Sequence, residues 1–191
     1  MTEEPDIELL TEAYALLQAD PGPVAITQLK RLAEHGSLMS MIYLAWVHKS
    51  GIGVVPDITQ AEYWYRQAAS GGSNLALYYL GHLYLDNKQY GKAEEVFSAG
   101  AELEYSPTIF CLGQMYLDGS GVPKDSNKAL LLFKKAAGRG HVFAMRSLAA
   151  MYLSGRYGVG NIFKGLVLLC SAIINAIVIS RADPDSDKLR A

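Results

Sequence analysis

The sequence predicts an all-α fold, an α-solenoid of about five antiparallel helix pairs. Three observations predict it. A unit of helical pattern recurs along the chain, and each unit carries two stripes of apolar and small residues. In addition, 50% of the 191 residues are hydrophobic, which is enough to bury a core.

The repeat is visible as columns of equivalent residues. One column consists of leucines that are 36, 32 and 36 residues apart: Leu44, Leu80, Leu112 and Leu148. Another consists of small residues that are 32, 36 and 36 residues apart: Ala68, Gly100, Ala136 and Ala172. Two such columns define a structural repeat with one shorter member.

The columns divide one repeat domain, residues 1–191, into six parts. These are a degenerate N-terminal helix pair at 6–36, repeat 1 at 38–73, repeat 2 at 74–105, repeat 3 at 106–141, repeat 4 at 142–181 and a polar tail at 182–191. The short member of the series is repeat 2, in which the loop between the two helices is reduced.

The N-terminal pair is predicted from fainter matches. Ala25 and Gly36 lie 36 residues before Ala61 and Gly72. The turn sequence Asp20–Pro23, DPGP, interrupts the segment in its middle, as a connection between two helices should.

Repeat 3 shows why each unit should be a helix pair. Leu112 and Tyr116 share one stripe of a first helix, while Ala129, Phe133 and Ala136 share one stripe of a second. The small residues allow the two helices to approach closely, and the aromatic side chain fills the space towards the next pair.

Two loops carry a motif that identifies a family. The sequence GIGVVPD at Gly51–Asp57 and the sequence GSGVPKD at Gly119–Asp125 both join a first helix to a second. With the second-helix pattern of repeat 3, they resemble the Sel-one-like repeat, a relative of the tetratricopeptide repeat. The resemblance covers residues from about 38 to 176. It implies a right-handed, tetratricopeptide-like solenoid and a bacterial adaptor, often in regulatory, secretion or cell-envelope pathways.

Two repeats depart from the family pattern. In repeat 2 the short sequence LDNKQYG, Leu85–Gly91, replaces the long loop, so this unit is closer to a plain tetratricopeptide repeat. In repeat 4 the alanine of the second helix is Gly165 and the aromatic position is Leu168. We expect the second helix of repeat 4 to pack differently from the others.

No motif predicts catalysis, a metal or a cofactor. The glycine pairs in the loops lack the βαβ unit that a nucleotide-binding motif needs, so we interpret them as turns. Cys111 and Cys170 are 59 residues apart and form no Cys-x-x-Cys pair, and the four histidines are scattered. We therefore predict that the chain is not an enzyme and binds no cofactor.

The family geometry predicts a partner-binding groove on the concave face of the first helices. Its residues are Ile42, Trp46, Tyr78, His82, Phe110, Gln114 and Arg146. Exposed aromatic and arginine side chains are common anchors of protein contacts, so we expect a peptide or helix of another protein there. The same aromatics could instead join adjacent repeats. An alternative function is a small-molecule regulator or sensor, or an enzyme with an unrecognised site.

The C-terminal helix predicts a second contact surface. Three polar residues at the end of repeat 1 and directly after it, Ser70, Ser73 and Asn74, become Ile174, Ile177 and Val178 in repeat 4, and these form the predicted surface together with Ile173. A terminal repeat normally needs a polar outer face, so we expect a second copy or a partner protein to cover these residues. A two-fold homodimer is the economical choice, because one apolar patch can pair with itself. The alternative is that the helix bends back into its own groove.

Charge and hydropathy restrict the remaining partners. With 17 basic and 19 acidic residues, the chain has no cationic surface for a phosphate backbone, so no nucleic acid is expected. The apolar run Leu166–Ile179 has 14 residues, fewer than the roughly 20 of a spanning helix, so no direct membrane span is expected. The acidic N-terminus lacks the pattern of a secretory signal, which favours a cytoplasmic location.

Overall fold

The computed structural model describes residues 7–155, 157–158, 160–183 and 186–190. This part of the chain forms ten α-helices, one short 3-10 helix and no strand, so the predicted all-α fold class is confirmed. The α-helices are α1 (Ile7–Ala19), α2 (Pro23–Glu34), α3 (Leu38–Ser50), α4 (Ile58–Ser70), α5 (Asn74–Asp86), α6 (Tyr90–Glu102), α7 (Ser106–Asp118), α8 (Ser126–Gly138), α9 (Val142–Leu153) and α10 (Gly160–Ala182). The 3-10 helix is Asp187–Leu189.

The chain consists of two compact units, Met1–Leu83 and Tyr84–Ala191, which we call unit 1 and unit 2. In unit 1, helices α1 to α4 pack each against the next in sequence. Leu29, Leu44 and Val47 are completely buried at its centre. The N-terminal segment thus contributes two helices to this core, and Leu10 and Leu17 of α1 pack there as well.

In unit 2, helices α6 to α10 also pack each against the next. Phe97 and Phe133 of the second-helix stripes are completely buried. A Cβ atom at Gly113 would lie 2.7 Å from the ring of Phe133, so the small residue in the first helix is what lets α7 and α8 approach this closely.

The glycine-containing loops are turns that lead into capped helices. The Asp57 carboxylate accepts a hydrogen bond from the backbone N–H group of Gln60 at 3.0 Å, and thereby caps α4. Asp125 caps α8 in the same way. Gly53 has a φ of 70°, and a Cβ atom there would lie 1.7 Å from the Pro21 carbonyl oxygen. Both its backbone angle and its close neighbour require glycine.

Candidate functional site

Four of the predicted groove residues lie in unit 1. Ile42 and Tyr78 are buried, with exposed fractions of 4% and 8%. His82 is half-buried, and its ring meets the Tyr78 ring edge to face at a centroid distance of 4.5 Å. Trp46 is 37% exposed and is the member of this group most open to a partner.

The other three predicted groove residues lie in unit 2. Phe110 is 6% exposed, and its ring centroid lies 5.6 Å from that of Phe133. Arg146 is exposed, and its guanidinium carbon lies 5.0 Å from the centroid of the Phe143 ring, a cation–π contact. Gln114 is half-buried, and its Oε1 atom is buried without a hydrogen-bond partner in the described part of the chain.

Burial therefore separates the seven residues into two groups. Ile42, Tyr78 and Phe110 are buried, so they present no exposed aromatic ladder. The sequence spacing does not measure how closely neighbouring helices cover these residues. A partner-binding role for Trp46, His82, Gln114 and Arg146 stays a prediction.

Helix α10 has one packed side and one exposed side. Gly165 and Ala172 are buried against α9, and a Cβ atom at Gly165 would lie 3.1 Å from the Ala149 carbonyl oxygen. The opposite side carries large apolar residues that are at least half exposed: Phe163, Leu166, Val167, Ile173, Ile174, Ile177 and Val178. We call these seven residues the α10 apolar face.

The length of α10 corrects one expectation. The apolar run of 14 residues was too short to span a bilayer, but the helix containing it has 23 residues, Gly160–Ala182. It continues through Lys164, because that charge lies on an exposed part of the helix and costs little there. The segment reaches a mean hydropathy of 2.4, so α10 is long and apolar enough to cross a membrane by length and composition.

The two thiols differ in burial. Burial raises the pKa of the Cys111 thiol to about 12, so this side chain is an inert part of the core. Cys170 is exposed and lies among the residues of the α10 apolar face. In the described residues, no cluster of three or more His, Cys, Asp or Glu could hold a metal ion.

A further contact was missed by the sequence analysis. The Tyr105 hydroxyl donates a hydrogen bond to Asp187 Oδ1 at 2.6 Å, and the Nε2 atom of His141 bonds to the Arg190 carbonyl oxygen. Residues Ser186–Arg190, which were assigned to a polar tail, are thus attached to the starts of α7 and α9. Tyr105 and His141 occupy equivalent positions 36 residues apart, and that column was the signal available in the sequence.

The chain belongs to the Sel1 repeat family. The family model matches residues 38–73, 110–141 and 142–173, which together make up more than half of the chain. These matches include α3 with α4, most of α7 with α8, and α9 with most of α10, whereas no match falls on α5 and α6. Sel1 repeat proteins in general are non-catalytic and mediate protein–protein interactions.

Proteins with sequences similar to this chain are much longer than it is. A sel1-like repeat-containing protein, L21, of Acanthamoeba polyphaga mimivirus is 30% identical over 128 residues, which cover 67% of this chain and 24% of the relative. The ERAD-associated E3 ubiquitin-protein ligase component HRD3B of Arabidopsis thaliana is 33% identical over 103 residues, covering 51% of this chain and 16% of the relative. The chain thus spans a quarter or less of these two proteins.

Solved structures have the same fold. A Sel1 repeat protein from Oxalobacter formigenes superimposes with a TM-score of 0.68 at 27% identity, over 78% of this chain and 61% of that one. A protective antigen of uropathogenic Escherichia coli strains, which displays an SLR fold, gives a TM-score of 0.66 at 25% identity. That match covers 92% of this chain and 41% of the antigen. The solenoid class expected from the repeats is therefore confirmed.

Proposed function

We propose that this chain is a non-catalytic adaptor that binds a partner protein through its first helices and pairs with a second copy through the α10 apolar face. The general role follows from membership of the Sel1 repeat family. The observation that carries the self-association is the spacing of side chains on α10.

The α10 apolar face contains a seam suited to another helix. Phe163, Val167, Cys170, Ile174 and Ile177 follow one another at intervals of 4, 3, 4 and 3 residues. This spacing is that of the a and d positions of a coiled coil, which pack against a second helix with the same pattern. A bilayer, by contrast, favours an apolar surface on all sides, whereas one side of α10 is packed on α9.

The charges of α10 support a second copy as the occupant. Lys164 and Arg181 delimit an interval of 16 residues without a charged side chain. The face is therefore neutral and can pair with itself without opposing like charges. Cys170 lies midway between Phe163 and Val178, so a two-fold pairing of the helices brings the two Cys170 residues close together.

Cross-linking tests this pairing. A short bismaleimide should link two wild-type chains through Cys170, because the buried Cys111 does not react. The Cys111→Ser variant should cross-link as the wild type does, and Cys170→Ser should not. The double variant Ile174→Asp with Ile177→Asp should sediment as a monomer, since charges on the seam oppose pairing.

Two results would contradict the pairing. One is a wild-type monomer at about 100 µM, a concentration at which a micromolar dimer is almost fully formed. The other is flotation of the wild type with phosphatidylcholine vesicles that the aspartate double variant loses, which would assign the α10 apolar face to a membrane. The cytoplasmic location expected from the sequence also remains a prediction, and cell fractionation tests it.

Within each unit, the partner surface proposed on the first helices rests on a smaller set of groups. In unit 2, the exposed Arg146 is the predicted residue that a partner can reach most directly, because the Oε1 atom of Gln114 is buried. In unit 1, Trp46 is the exposed aromatic of the predicted groove residues. Arginine and tryptophan are the residue types most enriched among interface hot spots.

Affinity capture with matched variants tests this surface. The wild type should retain one protein in stoichiometric amount, and Trp46→Ala or Arg146→Ala should each weaken its retention at least tenfold if the replaced side chain is a hot spot. Leu131→Ala removes an exposed apolar side chain of α8 and should have no effect. Equal retention by all variants would contradict the surface. A thermal-shift screen with metabolites tests the small-molecule alternative. A ligand at a concentration of 100 times its Kd adds about 2.7 kcal/mol to the free energy of unfolding.

A further inference from the structure

The residues that immediately precede the first helices form a column with an informative exception. Equivalent positions, separated by 36, 32 and 36 residues, are occupied by Ser37, Ser73, Tyr105 and His141. The first two lie in unit 1 and the last two in unit 2. The two serines of unit 1 thus correspond in unit 2 to a tyrosine and a histidine, which are larger aromatic side chains that can also form hydrogen bonds.

In unit 1 the side chains at these positions cap the helices that follow them. Ser37 Oγ accepts from the Ser40 amide at 3.0 Å, and Ser73 Oγ accepts from the Ala76 amide at 3.2 Å. Serine is among the preferred residues for this helix-capping role.

In unit 2 the position gains a second task. His141 Nδ1 accepts from the Ala144 amide at 3.2 Å and so caps α9, whereas the Tyr105 side chain makes no capping hydrogen bond. Because Nδ1 is the acceptor, the ring proton lies on Nε2, which donates to the Arg190 carbonyl oxygen. The Tyr105 hydroxyl donates to Asp187.

The attached segment, Ser186–Arg190, is held by polar contacts. Arg190 Nε lies 2.8 Å from Asp187 Oδ1, which shapes the segment into a tight turn. Beside it is an open pocket of about 450 Å³, lined by Glu104, Tyr105 and Arg139 among others. Asp187 and Lys188 remain exposed, so water can reach the segment and compete for its hydrogen bonds.

We propose that Tyr105 and His141 form a docking site for a short peptide segment folded into a tight turn, in which an aspartate is followed three residues later by an accessible backbone carbonyl. The chain's own Ser186–Arg190 occupies this site as an intramolecular ligand until a partner segment of the same chemistry displaces it. The site deepens the proposed adaptor function, but it is independent of the α10 apolar face and of the Trp46 and Arg146 surfaces.

Displacement would change what unit 2 presents to a partner. The His141 ring is completely buried and its centroid lies 5.0 Å from that of Phe110. When Ser186–Arg190 leaves, the Nε2 donor of His141 and the Tyr105 hydroxyl become available together. A partner peptide that supplies both acceptors restores the same contacts.

A peptide added in trans tests the site on the full-length chain. The probe is a fluorescein-labelled peptide with the sequence of residues 183–191, DPDSDKLRA. In Asp187→Ala the chain's own segment has lost the carboxylate that binds Tyr105, so this variant should bind the probe at least tenfold more tightly than the wild type. In the wild type the internal segment competes at a high effective concentration.

Three controls define the outcome, each with circular dichroism to show that the variant is folded. Asp118→Ala replaces an exposed aspartate elsewhere in unit 2 and should bind the probe as weakly as the wild type. Adding Tyr105→Phe to Asp187→Ala removes only the hydroxyl and should abolish the gain. A probe with asparagine in place of Asp187 should bind the Asp187→Ala chain at least fivefold more weakly than the original probe.

The proposal is overturned if Asp187→Ala binds the probe no more tightly than the wild type. It is also overturned if the added Tyr105→Phe leaves the gain intact, because the peptide then binds elsewhere. Neither result bears on α10 pairing or on affinity capture by Trp46 and Arg146.

Discussion

His141 combines complete burial with hydrogen bonds at both ring nitrogens. Burial lowers its pKa from 6.5 to about 4, although the Arg190 carbonyl and the Asp187 carboxylate both favour the protonated ring. The neutral ring is also the form that the geometry requires, since a protonated Nδ1 could not accept from the Ala144 amide. One proton would therefore remove the cap of α9.

This residue should make unit 2 sensitive to mild acid. Between pH 6.5 and about 4 the unfolded chain binds a proton at His141 that the folded chain does not, so folding stability falls as the pH falls through this interval. The expected loss is about 3 kcal/mol at the lower end of this window. Urea denaturation followed by circular dichroism at pH 7 and at pH 4.5 measures it.

The control for that prediction is a pair of histidine substitutions. His141→Asn keeps a side chain that can cap a helix and should reduce the loss of stability between the two pH values. His35→Asn, at an exposed histidine, should lose as much stability on acidification as the wild type does. An unchanged pH dependence in His141→Asn would contradict the assignment to His141.

Two glycines should differ in their tolerance of alanine. Gly53 and Gly72 both have positive φ, so alanine strains the backbone at each by about 1 kcal/mol. Only at Gly53 would the new Cβ atom also collide, with the Pro21 carbonyl oxygen, whereas nothing lies within 4 Å at Gly72. We expect Gly53→Ala to lose at least about 2 kcal/mol more than Gly72→Ala in urea denaturation. Equal losses would show that the loop shifts freely.

At the scale of the element, α10 has two sides with different requirements. Ala172 is buried with Val142 and Met145 of α9, while Ile174 is 60% exposed on the other side. The same substitution placed two residues apart along the helix therefore tests which side holds the fold.

Aspartate is the substitution that distinguishes the two sides. Ala172→Asp buries an unpaired charge and should destabilise unit 2 by about 3 kcal/mol or more. Ile174→Asp should keep the helical circular dichroism spectrum and lose only the contribution of self-association. A spectrum for Ile174→Asp as disrupted as that for Ala172→Asp would mean that the seam packs inside the chain, as in the alternative of a helix bent into its own groove.

The helices themselves were predictable from local pattern, and their environment was not. The stripe of Ala129 and Phe133 predicted α8, and the acidic residue after each glycine loop, Asp57 or Asp125, proved to be a cap. The burial of Tyr78 and Phe110 depends on how closely neighbouring helices approach, which no residue spacing measures. The attachment of Ser186–Arg190 joins Tyr105 and Asp187, which are 82 residues apart in sequence. This contact could not be predicted from the sequence, because a polar segment has no periodic pattern of hydrophobic residues.

At the scale of the whole molecule, the unfolding of the two compact units can be followed by different spectroscopic signals. Both tryptophans, Trp46 and Trp64, lie in unit 1. Fluorescence excited at tryptophan thus follows unit 1, whereas the far-ultraviolet circular dichroism follows every helix. In repeat proteins each element is stabilised by its neighbours, so separate regions can unfold at different denaturant concentrations.

Core substitutions in each unit should separate the two signals. Leu29→Ala, in unit 1, should lower the urea midpoint of the tryptophan fluorescence, because such a truncation costs about 2 to 5 kcal/mol. Phe133→Ala, in unit 2, should lower part of the circular dichroism transition and leave the fluorescence midpoint within error of the wild type. Equal shifts of both signals by both variants would show one cooperative transition for the whole chain.

The two long glycine-containing loops affect how genes for repeat proteins of this kind can gain repeats. The amide of Asp57 bonds to the His48 carbonyl, and the amide of Asp125 bonds to the Tyr116 carbonyl, so each long loop is closed by bonds inside its own repeat. A tandem duplication of the 36 codons for residues 106–141 would therefore copy a complete cassette of helix, turn, cap and second helix. Recombination between such cassettes changes the number of repeats without breaking a loop. Relatives of which this chain spans only 24% and 16% have the room for many more of them.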